Sequence, residues 1–305
     1  MQADSILPID AAAVTRQFDR LGRRALAPAF LLTEVAKRMA ERLDYIRLAP
    51  QRILDAGCGQ GAAVQLLTQR YKKADFIGVD ASASQLAHAA QHWPSTGLRA
   101  RFRQAIGGPR ITWLQRDLNQ LTLPAPVDLL WTNGLLHWLP QPHTAIRQFA
   151  SLIAPGGLLM LSCFGPDSFK QVRSAAAQAG LPNAVLPFVD MHDFGDMLVA
   201  SRLSTPVMDS EMLTLTYPNP QALVDELRLL GGNPHAHRSP NLTGKARWQA
   251  FLAALQNQAG ADGRIPLSVE VIYGHAWQPD QIIALGSNQV SLAELASTLP
   301  SRRKP

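Results

Sequence analysis

One strand–turn–helix cassette near residue 55 constrains this 305-residue chain more than any other feature. Ile53-Leu54-Asp55-Ala56 is an apolar strand, and Gly57-Cys58-Gly59-Gln60-Gly61 is the turn that follows it. Glycines at 57, 59 and 61 remove side chains where the backbone must turn sharply and approach a ligand closely. A second apolar strand, Phe76-Ile77-Gly78-Val79, ends on Asp80, nineteen residues beyond Gly61. That is where a βαβ nucleotide unit places the carboxylate that grips a ribose. The cassette therefore predicts a parallel α/β sheet with a nucleoside ligand at the C-terminal ends of its strands. The competing reading is a glycine turn that serves strand–helix packing alone.

Two nucleosides fit the turn. Gly57-x-Gly59-x-x-Ala62 satisfies a loose dinucleotide fingerprint, in which a helix N-terminus faces a pyrophosphate. Asp55 argues against it, because a carboxylate beside the turn repels a pyrophosphate. The same carboxylate accepts a hydrogen bond from an ammonium group, and S-adenosylmethionine carries one, along with a sulfonium and an adenosine. The D-x-G-x-G-x-G string with an acid ending the next strand resembles the class I methyltransferase signature. Ile111 to Leu118 reads as a third strand ending in Asp117-Leu118, Val127 to Asn133 as a fourth, and Leu158 to Phe164 as a fifth after an Ala154-Pro155-Gly156-Gly157 turn. In methyltransferases the acid after the third strand meets the adenine amino group. The candidate cofactor set is thus Asp55, Ala56, Gly57, Cys58, Gly59, Gly61, Asp80, Ala81, Asp117, Leu118 and Asn133, with S-adenosyl-L-homocysteine as the product left in the pocket.

Composition narrows the remaining classes. Hydrophobic residues make up 47% of the chain, ordinary for a globular core. Two cysteines exclude a disulfide framework and suggest a reducing compartment. Cys58 reads as a small filler of the glycine turn. No run of eighteen apolar residues suggests a membrane span, and no signal-peptide pattern opens the chain, so a cytoplasmic protein is expected. The net charge is +6. Arg99, Arg101, Arg103, Arg110 and Arg116 form a basic segment without an intervening acid, and Arg302-Arg303-Lys304 form another. They read either as solvated surface or as a docking face for an acidic partner; no nucleic-acid module is evident.

The fold class expected is α/β, a Rossmann-like class I methyltransferase with a mostly parallel seven-stranded sheet, an N-terminal helical lid and helical cap insertions. Residues 1–50 read as mostly helical from Ala11 to Leu48 and as a lid that excludes water. Residues 51–165 are the cofactor-binding core and 166–265 a helical cap region. Within the cap, helices are expected at Asp167 to Ala179, Asn219 to Leu230 and Lys245 to Gln258, with a strand at Met208 to Tyr217. Residues 266–278 read as a final strand inserted antiparallel between the fifth and sixth, completing one domain over 1–280. The tail 281–305 is expected to fray, except for an amphipathic Leu292 to Leu299.

The order of longer motifs carries a more specific resemblance. D-A-G-C-G-x-G, N-G-L-L-H-W-L, A-P-G-G-x-L-x-x-S-x-F-G-P-D-S-F, V-D-M-H-D-F-G-D-M-L-V and Y-P-N-P-x-x-L-x-x-x-L together resemble the BioC family. Its members are malonyl-[acyl-carrier-protein] O-methyltransferases of biotin synthesis, and the likeness covers roughly residues 14–278. The same segments resemble the mitochondrial complex I assembly factors that act as arginine hydroxylases. The resemblance implies methylation of the free carboxylate of a malonyl thioester on acyl carrier protein. Arginine hydroxylation, or cofactor binding without catalysis, is the alternative. One departure stands out: the family places a tyrosine after the Phe-x-x-A segment of its first helix. Here Phe18-Asp19-Arg20-Leu21-Gly22-Arg23-Arg24 has none, and the next is Tyr45. Arg20, Arg23 and Arg24 could replace it as donors.

Such a reaction removes no proton at pH 7, so it needs a cation or donors rather than a general base. His137, Arg16 and Arg228 are the candidates to hold the acceptor carboxylate, His137 foremost because it follows the fourth strand. Asp190, His192 and Asp193 lack recurring metal spacing, so no metal is expected; Asp193 and Asp196 read as helix-capping or solvent-facing. His235 and His237 fall in a Gly/Asn/Pro-rich stretch and read as an exposed loop.

Overall fold

The computed structural model describes residues 6–24, 29–239 and 243–280, and the tail motifs beyond 280 lie outside them. Seven strands form one sheet in the order β3-β2-β1-β4-β5-β7-β6. β1 (Arg52–Ala56), β2 (Asp75–Asp80), β3 (Ile111–Gln115), β4 (Val127–Asn133) and β5 (Ile153–Phe164) are parallel. β7 (Ile265–Trp277) runs antiparallel between β5 and β6 (Ser204–Tyr217), where the final strand was expected.

Alternate side chains on the strands supply two cores, as a sheet covered on both faces requires. Ile53, Leu129 and Leu158 join one core with α2 (Phe30–Arg42), α3 (Ala62–Arg70), α7 (Lys170–Gln178), α9 (Pro220–Leu229) and α10 (Lys245–Gln256). Leu54, Leu130 and Leu159 join the other with α6 (Pro142–Leu152) and α8 (Met191–Ala200). α1 (Ala11–Arg23) lies against α4 (Ala83–His92), at the ends of the strands that carry the glycine turn.

Several local expectations are corrected. The N-terminal region, expected to be mostly helical, contains two helices, α1 and α2. The basic segment contains an unforeseen helix, α5 (Gly97–Ala105). It is not one basic face: Arg103 donates to Pro109 O and Pro94 O, and Arg110 pairs with Asp75 at 2.7 Å. β5 begins at Ile153, because Gly156 N–H donates to Gln278 O at 2.9 Å and keeps the Pro-Gly-Gly stretch in the sheet. β6 starts four residues before the expected Met208. As an edge strand it is held to α2: Arg42 donates to Asp209 at 2.6 Å and Arg38 to Glu211 at 2.9 Å. Tyr273 donates its hydroxyl to Glu211 at 2.7 Å, under the Arg42 guanidinium.

The cap of α8 is Asp190, not Asp193 or Asp196; its carboxylate accepts His192 N–H at 2.8 Å and contacts the ring Nδ1 at 2.7 Å. The pair is a helix cap, and no group of three or more His, Cys, Asp or Glu among the described residues could hold a metal. His235 is buried rather than exposed, because Ile9 bridges to it and Ala236 N–H donates to Pro8 O. Among the described residues no helix is long and apolar enough to cross a membrane.

Candidate active site

The glycine turn is stitched to β2 by its own backbone. Gly57 and Cys58 N–H both donate to Val79 O, at 2.8 and 3.0 Å. Gly57 holds φ at +76°, and a Cβ there would meet Leu135 Cδ1 at 2.9 Å. Gly61 caps α3 at φ +79°, where a Cβ would lie 2.9 Å from the Trp113 ring. Only a residue without Cβ fits either position without strain.

Two carboxylates flank the turn. Asp80 Oδ2 accepts Gly59 N–H at 2.9 Å and Oδ1 accepts Ser82 N–H at 2.8 Å. Burial raises its pKa, while those two backbone donors act the other way. Asp55, only 3% exposed, accepts no hydrogen bond among the described residues. Burial first, and then the charge of Asp80, pushes it up to about 8. A buried carboxyl without a donor is costly unless a ligand supplies one, and an ammonium group would. The Cys58 thiol is also pushed up, by burial above all, so it serves as a filler and not as a nucleophile.

A cavity of about 550 Å³ opens between this turn and α1. Gly57, Cys58, Gly59, Asp80, Ala81, Asp117, Leu118 and Asn133 line it; Asp55, Ala56 and Gly61, also expected at the cofactor, are not among its lining residues. Asn133 joins the sheet to α2: its Nδ2 donates to Leu32 O at 3.0 Å and its Oδ1 accepts the Ser162 hydroxyl at 2.7 Å.

The side of the cavity away from the turn is apolar, with Val14, Phe18, Leu21, Leu32, Trp138 and Leu229. The three acceptor-binding candidates do not contribute to it. Arg16 points outward, 3.7 Å from Asp10 and 63% exposed. Arg228 pairs with Asp225 and lies at the rim of a second cavity. His137 is buried in an aromatic cage, stacked on Phe164 at 4.4 Å. Its Nδ1 accepts Phe164 N–H at 3.3 Å, and burial pushes its pKa down to about 3. A neutral imidazole cannot act as the cation. Arg20, Arg23 and Arg24 face solvent.

Sequence reasoning missed the latch that holds α1 over the cavity. Asp19 accepts the Ser82 hydroxyl at 2.6 Å and the Ser84 hydroxyl at 3.2 Å. Gln85 Nε2 donates to Phe18 O at 3.1 Å, and Gly22 sits where a Cβ would meet Ser84 Oγ at 2.3 Å. Ser82 is also the residue whose N–H donates to Asp80, so one residue touches both Asp80 and α1.

A sheet of this order with a glycine turn after β1 and an acid after β2 defines a Rossmann-like methyltransferase. A methyltransferase-domain family model matches residues 53–157. Similar folds occur in the YcgJ protein of Bacillus subtilis (TM-score 0.55, 17% identity, covering 81% of this chain and 99% of that one). A putative methyltransferase from Bacillus halodurans C-125 gives TM-score 0.54 at 14% identity, covering 80% and 99%. At the level of sequence, the malonyl-[acyl-carrier protein] O-methyltransferase of Methylovorus sp. strain MP688 is 37% identical over 93% of this chain and 94% of its own. That of Laribacter hongkongensis strain HLHK9 is 39% identical over 88% and 90%. The chain belongs to the malonyl-[acyl-carrier protein] O-methyltransferase family, and the dinucleotide reading of its glycine turn is set aside.

Proposed function

We propose that this enzyme methylates the free carboxylate of a malonyl thioester carried on acyl carrier protein, the ester-forming step that opens biotin synthesis. The methyl donor is S-adenosylmethionine, which supplies an electrophilic sulfonium methyl group. A carboxylate oxygen forms the new O–C bond as the C–S bond breaks, and the electron pair stays on sulfur. Asp55 would hold the donor's ammonium, Asp80 its ribose hydroxyls, and Asp117 and Leu118 its adenine.

The observation that carries the reading is the contrast between the two halves of the cavity. Acids and glycines line the donor half. The wall toward α1 and Trp138 is largely apolar; among the described lining residues no histidine or lysine occurs, and the one cation, Arg116, neighbours Asp117. Transfer from a sulfonium to a carboxylate annihilates two opposite charges, so a dry, low-dielectric wall favours the transition state over the separated ions. A reaction that had to remove a proton would need a base there. The net charge of +6 suits an acidic carrier protein as partner. A cytoplasmic location follows from such a partner.

The test is transfer of labelled methyl from the donor to purified malonyl–carrier protein, with the base-labile methyl ester as product. Absence of label on that acceptor, with the donor still bound, sinks the assignment of substrate.

A further inference from the structure

Behind Trp138 lies a second cavity, of about 460 Å³, that the methyl transfer does not use. Phe164, Phe169 and Phe188 form one wall, with ring centroids 5.5 to 6.0 Å apart. Val224, Trp248 and Phe251, from α9 and α10, form another, and Phe164 is the last residue of β5. Trp138 lines both cavities. Phe18 of α1 packs on its ring edge at 5.6 Å, and a Cβ on Gly231 would meet that indole at 2.8 Å. The partition is therefore one aromatic side chain thick.

Three arginines border this apolar chamber. Arg228 pairs with Asp225, and Arg238 pairs with Asp10 at 3.1 Å. Arg247 is exposed and makes no ion pair among the described residues. Apolar walls with positive charge at the mouth recognise an aliphatic chain that ends in an anion. They do not suit a second nucleoside, which would need buried donors and acceptors. Nor do they suit a malonyl group, too short and too polar to fill them.

We propose that the chamber behind Trp138 is a binding site for a medium-length acyl chain, with its anionic head held by Arg247 and its neighbours. The ligand is a free fatty carboxylate, since the acyl group of a thioester carries no charge for Arg247 to hold, and its chain would rest against the face of Trp138 turned away from the first cavity. The site does not depend on the acceptor assigned above, because its test reads binding and not methyl transfer.

Calorimetric or tryptophan-fluorescence titration of the full chain with decanoate should give one saturable site. Each methylene removed weakens an apolar contact about fourfold, so hexanoate should bind roughly two-hundredfold less tightly. Decanol, which lacks the charge, should bind about tenfold less tightly than decanoate. Arg247→Glu should weaken decanoate by about tenfold and Val224→Phe should abolish its binding. Both variants should keep the wild-type affinity for S-adenosylhomocysteine, which also certifies that they fold. Decanoyl–carrier protein, whose acyl group is uncharged, should bind more weakly than decanoate, and tighter binding of it overturns the role given to Arg247. Equal binding of hexanoate and decanoate overturns the proposal, as does decanoate affinity unmoved in both variants.

Discussion

If Asp55 holds the donor's ammonium, as proposed, donor binding is a proton-coupled event. The Asp55 carboxyl closes β1 with 3% exposure, and burial followed by the charge of Asp80 pushes it up to about 8. In ligand-free protein it is therefore protonated at neutral pH. An ammonium group arriving beside it favours the ionised form, so the proton must leave as the ligand binds. The product S-adenosylhomocysteine is the cleaner probe, since it lacks the sulfonium and does not react. Between pH 5.5 and 7.5, each unit below the free-protein pKa should weaken binding tenfold, about 1.4 kcal/mol. Across the two units the loss is about a hundredfold. Titrating at pH 6 in buffers of differing ionisation enthalpy should report close to one proton released per ligand. Asp55→Asn should bind weakly at every pH and release almost none. Wild-type affinity that stays level across this range, with heats independent of buffer, refutes the role given to Asp55.

The same carboxyl sets a stability trend in ligand-free protein. The folded state keeps its proton over the window from about 4 to about 8, and the unfolded chain does not. This group's contribution to stability therefore falls as pH rises through that window. At pH 8, ligand-free Asp55→Asn should melt several degrees above wild type, with the gap closing toward pH 4; an equal or lower melting temperature at pH 8 counts against it. Asp19→Ala removes the acceptor of the Ser82 and Ser84 hydroxyls. It should weaken S-adenosylhomocysteine by roughly tenfold and speed amide exchange over residues 11–23, while unchanged exchange would mean the latch is idle. His137→Phe removes an acceptor from Phe164 N–H and should cost about 1–3 kcal/mol in denaturant unfolding. It should not move the pH profile of methyl transfer between pH 5.5 and 8.5, and a lost acidic limb would restore His137 as a titrating group. Cys58 and Cys163 are both buried with thiols pushed up by burial. Iodoacetamide should leave them unmodified in native protein and label both after unfolding, as read by mass.

What the sequence made legible followed from short-range rules. The glycine turn, Asp80 and Asn133 lie at or beside the strand ends they organise, whereas β3 stops at Gln115 and leaves Asp117 two residues past it rather than on the strand as expected. Periodicity and spacing placed them on one sheet edge, and the inserted antiparallel strand was visible as an alternating run before Trp277. The failures were long-range. His235 reads as exposed because its loop is rich in turn residues, yet it is buried by Pro8 and Ile9, more than two hundred positions earlier. Nothing local marks Asp19 out from the other charged residues of α1, since its partners Ser82 and Ser84 sit some sixty positions away. α5 was hidden because its large apolar residues face water: Leu98 and Phe102, with Ile106 just past its end, are each more than 60% exposed, so the pattern points away from any core.

His137 shows why a residue's place on a strand end does not settle its chemistry. It follows β4 at the edge where catalytic groups gather, which made it the leading candidate for the acceptor cation. Yet it turns away from the cavity into the Phe164–Phe188 cage, while the next residue, Trp138, faces both cavities. Desolvation then removes the positive charge that the role requires. Among the described residues the one cation lining the cavity is Arg116, beside Asp117, and an apolar wall opposite it fits the chemistry better than a paired arginine would. A tight ion pair stabilises the carboxylate in the ground state, and that stabilisation is lost as its charge is neutralised in the transition state. Specificity for the acceptor must then come from shape and from the partner's surface. The indole of Trp138 is the side chain best placed to set that shape.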